Sequence, residues 1–367
     1  MPPPEISVVA PTFREAENIP ALVARIAAAL RGREYEIIIA DDVSGDGTDA
    51  VCAGLSESLP LRLLSRRGAR GLSPAVMDGI AAARGEFVAV LDADLSHPPE
   101  KIPELVALLQ NDSADFVVGS RYVRGGGTAD DWPLLRRLNS RGATILARPL
   151  TPLADPMSGF FAFRRAQMPP PETLSPVGYK IGLEIAVKAG YSRRRIAEVP
   201  IFFGDRRAGE SKMTPREQWN YLRHLRRLYH HKWPKKMEAL QFAAVGGIGF
   251  VWDALAYFAL QAAGMPHLWA RALAFWPGVT HNWFLNRVMT FKTRPRISAA
   301  KQWAGFVAVS SAGFCINWGV YALLTLHTSF FARHHFAAFV VGVLAGAVFN
   351  FVAADRLVFP QKSARAQ

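Results

Sequence analysis

The chain has 367 residues, half of them hydrophobic and 20% charged, with a formal net charge of +13 and a mean hydropathy of +0.10. So much apolar character excludes bulk disorder and predicts long apolar segments. The pI near 10.1 leaves nucleic acid or an anionic membrane surface as the source of the basic excess.

The first residues, Met1-Pro2-Pro3-Pro4-Glu5, lead directly into a strand-like run. With no basic, apolar leader in front of it, the N-terminal half is expected to remain in the cytoplasm. Cys52 and Cys315 are the only cysteines. They fall in different parts of the chain without ligand spacing, which argues against a disulfide framework and a zinc site.

Residues 6–10 read as a strand and 17–30 as a helix, followed by a strand at 36–40 and a helix at 48–55. The pattern continues through 61–65, 74–83, 87–91, 99–109 and 116–119. Repeated β-α units of this length predict an α/β domain, with a mainly parallel sheet covered by helices on both faces. In such sheets ligands bind beyond the carboxyl ends of the strands.

Those ends are acidic. The second predicted strand runs into Asp41-Asp42-Val43-Ser44-Gly45-Asp46-Gly47-Thr48, and the fourth into Asp92-Ala93-Asp94-Leu95-Ser96-His97-Pro98. Two aspartates one residue apart at a strand tip can present oxygen ligands to Mg²⁺ or Mn²⁺, which in turn neutralises a diphosphate. No Gly-x-Gly-x-x-Gly or Walker lysine loop accompanies them, so a classical dinucleotide or P-loop site is not supported. His97, ahead of two prolines, reads as a turn residue.

Charge then divides the chain. Residues 1–210 hold 25 basic and 26 acidic side chains, net −1; residues 211–237 hold 8 and 1, net +7; residues 238–367 hold 10 and 3, net +7. The junction at 213–237 opens a helix at Thr214-Pro215. Trp219, Leu222, Leu225 and Tyr229 recur there at helical spacing among Arg and His. Such a basic amphipathic helix suits the lipid headgroup region, the other reading being a helix packed on its own domain.

Four apolar stretches follow, at 240–263, 268–289, 303–326 and 336–354, and they predict four membrane spans in a domain at 238–360. Asp253, inside the first, is expected to pair with Arg271 or Asn282. The junction, the connection after the second stretch (Lys292, Arg294, Arg296, Lys301) and the tail at 361–367 (Lys362, Arg365) are basic. The other two connections carry only Arg333. This asymmetry predicts a four-pass protein with both termini and the first 212 residues cytoplasmic. The basic excess thereby becomes a membrane collar, and nucleic acid is no longer needed to explain it.

The ordered segments Pro11-Thr12-Phe13-Arg14-Glu15, Asp41-Asp42-x-Ser44-x-Asp46-Gly47-Thr48, Arg70-Gly71-Leu72, Asp92-Ala93-Asp94-Leu95-Ser96-His97-Pro98, Gly119-Ser120-Arg121-Tyr122, Ser140-Arg141-Gly142-Ala143, Asp155-Pro156-x-Ser158-Gly159-Phe160-Phe161 and Arg206-x-x-Gly209-Glu210-Ser211-Lys212 span about 200 residues. Residues 1–212 resemble a GT-A glycosyltransferase of family 2, closest to the dolichol- or polyprenol-phosphate mannose synthases. The apolar third resembles the GtrA-like four-helix membrane domain, through Asn286-Arg287-x-x-Thr290-Phe291 and Asn350-Phe351 with Asp355-Arg356-x-x-Phe359.

The resemblance implies inverting transfer of mannose from GDP-mannose to dolichyl or polyprenyl phosphate, with Mg²⁺ or Mn²⁺ as cofactor. It places Pro11, Phe13, Glu15, Asp42, Arg70 and Ala93 on the donor nucleotide. Asp92 and Asp94 take the metal and diphosphate, with Ser96 where relatives carry a metal-ligating Gln. Arg121, Arg136 and Ser140 fall on the lipid phosphate, and Arg206, Ser211 and Lys212 on a closing loop. Pro74 departs from the family pattern and is expected to stiffen the loop after Gly71-Leu72. A UDP-sugar donor is the alternative, and a membrane scaffold or flippase-like component a more distant one. The junction lacks the Gln-x-x-Arg-Trp of processive polysaccharide synthases. Self-association through the membrane domain stays open.

Overall fold

The computed structural model describes residues 4–360 apart from 129–133, 176, 177, 179, 205–214, 293 and 296. The side chains of 134–137, 215, 253, 254, 257, 267, 268, 271, 272, 335, 336 and 339 also lie outside the description. The chain divides into two units, Met1–Lys232 and Trp233–Gln367. The division falls inside the 213–237 junction.

The first unit begins with β1 (Ile6–Thr12), every residue of which is buried. Helix α1 (Ile19–Ala29) starts two residues later than its apolar periodicity predicts, with Pro20 in its first turn. Then come β2 (Tyr35–Asp41), α2 (Thr48–Ser56), β3 (Leu61–Ser65), α3 (Leu72–Ala82), β4 (Phe87–Val90), α4 (Ile102–Gln110) and β5 (Phe116–Ser120). Pro74 stands in the first turn of α3, where a missing N–H removes no helical hydrogen bond, so it starts a helix rather than stiffening a loop.

Next are the short β6 (Gly127–Thr128), α5 (Leu134–Ala147), β7 (Phe161–Arg164), α6 (Ile181–Lys188), β8 (Ile196–Pro200), β9 (Phe202–Phe203) and α7 (Pro215–Lys232). The main sheet has seven strands in the order β3-β2-β1-β4-β7-β5-β8, and β6 pairs with β9 beside it. All neighbours in the main sheet are parallel except β7, which runs antiparallel between β4 and β5.

Alternation along β1 builds both faces. Ile6, Val8 and Ala10 pack with Ile19, Leu22 and Ile26 of α1 and Leu105 of α4, whereas Val9 packs with Val76 and Ile80 of α3 and Phe161 of β7. The sheet is thus covered on both sides by apolar packing.

Helix α7 confirms helical spacing but divides the predicted apolar stripe. His224, Leu225 and Leu228 are buried, and Tyr221 Oη and Tyr229 Oη donate to the carbonyls of Ala143 and Leu146 at 2.7 and 2.8 Å. Leu225 and Tyr229 therefore face the helix's own domain. Trp219 and Leu222 remain exposed beside Arg223, Arg226 and Arg227.

The second unit contains α8 (Pro234–Ala262), α9 (His267–Leu285), α10 (Ala299–His327), the short α11 (Ser329–Arg333) and α12 (His335–Ala353). The four long helices overlap the four apolar stretches. Among the described residues two segments, Ala299–His327 and Val340–Val358, are long and apolar enough to cross a membrane, with mean hydropathy 1.5 and 1.6. Helices α9 and α12 each run into a five-residue π turn, Asn286–Thr290 and Ala354–Val358. The turns bring Phe291 and Phe359 into a stack 4.6 Å apart. Nearby Arg294 donates to Glu238, Asp355 and the Phe359 carbonyl. The side chains of Asp253 and Arg271, whose pairing the sequence suggests, lie outside the described residues.

Candidate active site

Three loops leave the carboxyl ends of β1, β2 and β4, and each contains a non-glycine residue in the left-handed region. Arg14 has φ 61°, Val43 φ 52° and Leu95 φ 63°. For a β-branched valine this conformation is a true outlier, and such strain concentrates at functional loops.

The first two loops are laced together. Ser44 Oγ accepts the Arg14 amide at 2.8 Å, and Asp46 Oδ2 accepts that of Ala16 at 3.1 Å. Asp41, at the end of β2, accepts from Thr12 Oγ1 at 3.2 Å and from the Ser44 amide at 2.9 Å. Glu15 accepts from Asn18 Nδ2 at 2.6 Å. Pro11 is buried, Phe13 is partly exposed, and the guanidinium of Arg70 lies 5.9 Å from the Phe13 ring. Phe13 and Arg70, assigned to the donor by resemblance, thus stand together.

Asp42 is expected on the nucleotide, but its carboxylate is already engaged. One oxygen pairs with Arg66, and the other accepts the Gly71 amide at 2.7 Å. Arg66 is buried and also donates to Asp78 and to the Ala69 carbonyl, at 2.7 and 3.0 Å. Asp42 therefore secures the loop that carries Arg70. Nothing in Ser65-Arg66-Arg67 separates an inward arginine from a solvated one, so the role of Arg66 is visible only in the fold.

The β4 loop holds the acidic pair. Asp92 is partly exposed; Ala93, Asp94, Ser96 and His97 are buried. Asp94 Oδ1 accepts the Ser96 amide at 3.1 Å, and Ser96 Oγ is buried without a hydrogen-bond partner. His97 Nδ1 accepts the Asp92 amide at 3.2 Å, and its ring contacts Phe160 and Phe203. Burial lowers the His97 pKa against the pull of Asp92 and Asp94, so the neutral ring orients the Asp92 backbone. His97 is thus more than the turn residue that its two following prolines suggest.

Among the described residues no group of three or more His, Cys, Asp and Glu side chains is arranged to hold a metal. Asp92, Asp94 and the unpartnered Ser96 hydroxyl form a partial, oxygen-only set. That set fits a hard divalent cation, which ordinarily completes its shell with substrate phosphate and water.

A turn at 155–159 packs against this loop. Asp155 takes Arg121 Nε and Nη2 at 2.7 and 2.8 Å and the Arg121 amide at 3.1 Å. Arg121, expected on the lipid phosphate, is therefore forked onto Asp155 with a side chain only 9% exposed. Next to it, Tyr122 Oη and Ser140 Oγ share a hydrogen bond of 2.8 Å, which brings the predicted Ser140 to the same edge. Gly159 abuts the acidic pair: a Cβ there would lie 3.2 Å from both Asp92 oxygens and 3.4 Å from His97.

Lys180 Nζ donates to the Met157 carbonyl of this turn at 2.7 Å. Burial, with Arg121 nearby, lowers its pKa to about 8, while Asp92 and Asp155 oppose the shift. Neither Asp155 nor Lys180 carries a role that sequence alone assigns. Asp155 was visible in a motif; Lys180 stood in none. Arg136 lies on α5 with its side chain outside the described residues, and Arg206, Ser211 and Lys212 are wholly outside them.

Residues 7–168 match the family described as glycosyl transferase family 2, and residues 241–366 match the GtrA/DPMS transmembrane domain. The chain is 37% identical over 345 residues to a dolichol-phosphate mannosyltransferase of Pyrococcus furiosus, covering 93% of this chain and 95% of that one. It is 43% identical over 237 residues to a dolichol-phosphate mannosyltransferase of Mycosarcoma maydis, covering 62% and 80%. For that of Saccharomyces cerevisiae the identity is 38% over 237 residues, covering 62% and 88%. With acidic strand ends on a mainly parallel sheet in its first unit and a match to the GtrA/DPMS transmembrane domain later in the sequence, the chain belongs to the dolichol-phosphate mannosyltransferases of glycosyl transferase family 2.

Proposed function

We propose that the protein transfers mannose from GDP-mannose to the phosphate of dolichyl or polyprenyl phosphate, inverting the anomeric carbon. The observation that carries this reading is the Asp92-Ala93-Asp94 tip packed against the turn that holds Arg121 and Lys180. Carboxylates for a cation and fixed cations for anions there share one strand-end site.

A lipid monophosphate has a second pKa of about 6, so at neutral pH it is already a nucleophile and asks for no general base. The protein's task is to hold two anionic substrates in line and stabilise the departing diphosphate. Asp92 and Asp94, with Ser96, would hold Mg²⁺ or Mn²⁺, which supplies charge neutralisation at the diphosphate. Phe13, Glu15 and Arg70 border the nucleotide, and Asp42 with Arg66 keeps their loop in place. Arg121, oriented by Asp155, contributes positive potential toward the acceptor phosphate, a role the family resemblance also gives to Arg136. The family resemblance assigns Arg206, Ser211 and Lys212, which lie outside the described residues, to a loop that closes over the substrates.

The four long helices of the second unit are assigned as membrane spans, with the basic junction and the 292–301 connection on the cytoplasmic face. The outward Trp219 and Leu222 with neighbouring arginines suit contact between α7 and headgroups.

Purified protein with GDP-mannose and polyprenyl phosphate should yield a β-mannosyl lipid phosphate, absent in Asp94→Ala and in EDTA. Transfer preserved under both conditions would remove the metal from the proposal. Preferential use of UDP-glucose in direct competition would replace the donor. Labelling of single cysteines placed at 264–267 and 327–335 should occur only from the non-cytoplasmic side, and cytoplasmic labelling would overturn the four-span topology.

A further inference from the structure

We infer that Lys180 binds a phosphate oxygen of one of the two substrates, as a second fixed cation beside Arg121. The inference rests on the glycosyl-transfer reading of the site and adds to it a residue outside every motif.

The turn at 155–159 distributes three tasks over five residues. Asp155 is consumed by the Arg121 fork. Met157 offers its carbonyl to Lys180. Gly159 leaves room for the Asp92 carboxylate. The turn is itself rigidly held, since Glu198 of β8 accepts the amides of Ala154 and Asp155 at 2.8 and 3.0 Å. Lys180 is consequently fixed next to Arg121, Asp155 and Asp92, all of which act on its charge.

Among the described residues Lys180 has the Met157 carbonyl as its hydrogen-bond partner and no carboxylate of its own. An ammonium group carries three donors, and holding it partly buried on one neutral acceptor is unfavourable. A phosphate oxygen satisfies both the remaining donors and the charge, since the Asp155 carboxylate is already taken by Arg121. The phosphate belongs either to the sugar-nucleotide diphosphate or to the lipid monophosphate.

The test uses the full chain. Lys180→Gln keeps a donor for the Met157 carbonyl and removes the charge, and Lys180→Arg keeps the charge. Lys180→Gln should melt close to the wild type while kcat/KM drops about ten- to hundredfold, and Lys180→Arg should recover most of it. A rise confined to the KM for polyprenyl phosphate assigns the acceptor; a rise confined to the sugar nucleotide assigns the diphosphate. Unchanged affinity for both substrates in Lys180→Gln, whatever happens to kcat, overturns the inference, as do equal losses in the two variants.

Should Lys180→Gln fail to fold, the wild-type chain carries the test through acetylation of Lys180, followed by peptide mass. Inorganic pyrophosphate or phosphate should slow labelling several-fold, and equal labelling with and without them overturns the inference. This readout needs no turnover. Absence of transfer in the wild type would therefore fault the functional reading without deciding the role of Lys180.

Discussion

Arg121 and Asp155 form a three-bonded fork across 34 residues of sequence, with Asp155 fully buried and Arg121 nearly so. Arg121 raises no free guanidinium on a flexible stem. It is a cation whose direction is set by a carboxylate on the turn that also faces Asp92. The carboxylate stays ionised despite burial, because the Arg121 hydrogen bonds and charge hold its pKa below the usual range.

Breaking that fork from one side should be severe. Asp155→Asn leaves Arg121 buried without its counter-charge, and a loss of about 3–5 kcal/mol in unfolding free energy is expected from denaturant titration. Arg121→Lys keeps the charge but forfeits the fork geometry, so kcat/KM should fall at least about tenfold with a smaller loss of stability.

Arg66 should behave as a nucleotide-site residue although it sits behind the loop. Arg66→Leu releases Asp42, Asp78 and the Ala69 carbonyl together. Calorimetric titration should show GDP affinity reduced about tenfold or more, because the loop bearing Arg70 is no longer held. Undiminished affinity in a folded variant would detach Asp42 and Arg66 from the donor site.

Gly159→Ala places a methyl group against the Asp92 carboxylate and the His97 ring. The shift of a few tenths of an ångström that it forces should raise the Mn²⁺ concentration for half-maximal activity several-fold. The sheet beneath should melt near its ordinary temperature.

Acid should loosen the packing of α7. His224 is buried opposite Glu184, with Arg227 and Lys188 also acting on it, and burial dominates in lowering its pKa from the ordinary 6.5. The unfolded chain binds the proton more readily, so this contribution to stability is present above pH 6.5 and shrinks as the pH falls toward the folded value. Melting temperatures followed from pH 7.5 to 5 should decline, and His224→Gln should flatten that decline.

Much of the architecture is legible in the sequence. The strand at 61–65 has the predicted limits, and most other elements of the first 120 residues differ from expectation by a few residues at their ends. The antiparallel β7 was not legible, since Phe161-Ala162-Phe163-Arg164 carries no mark of direction and lay within a motif read for chemistry. Helix α7 was legible as a helix but not in its facing. Leu225 turns to the domain and Leu222 to the outside, and periodicity alone names no partner.

The sequence by itself determined the β-α alternation, the acidic tips after β2 and β4, and the separation of a near-neutral domain from a basic apolar one. Each is written in residues adjacent along the chain, where periodicity and local charge are sufficient. Only the tertiary structure decided that Arg66 locks Asp42 across 24 residues, that Asp155 captures Arg121, and that Lys180 reaches the Met157 carbonyl across 23. Those choices depend on which loops the sheet order brings together. An arginine or lysine on a loop reads the same in sequence whether water or a buried carboxylate awaits it.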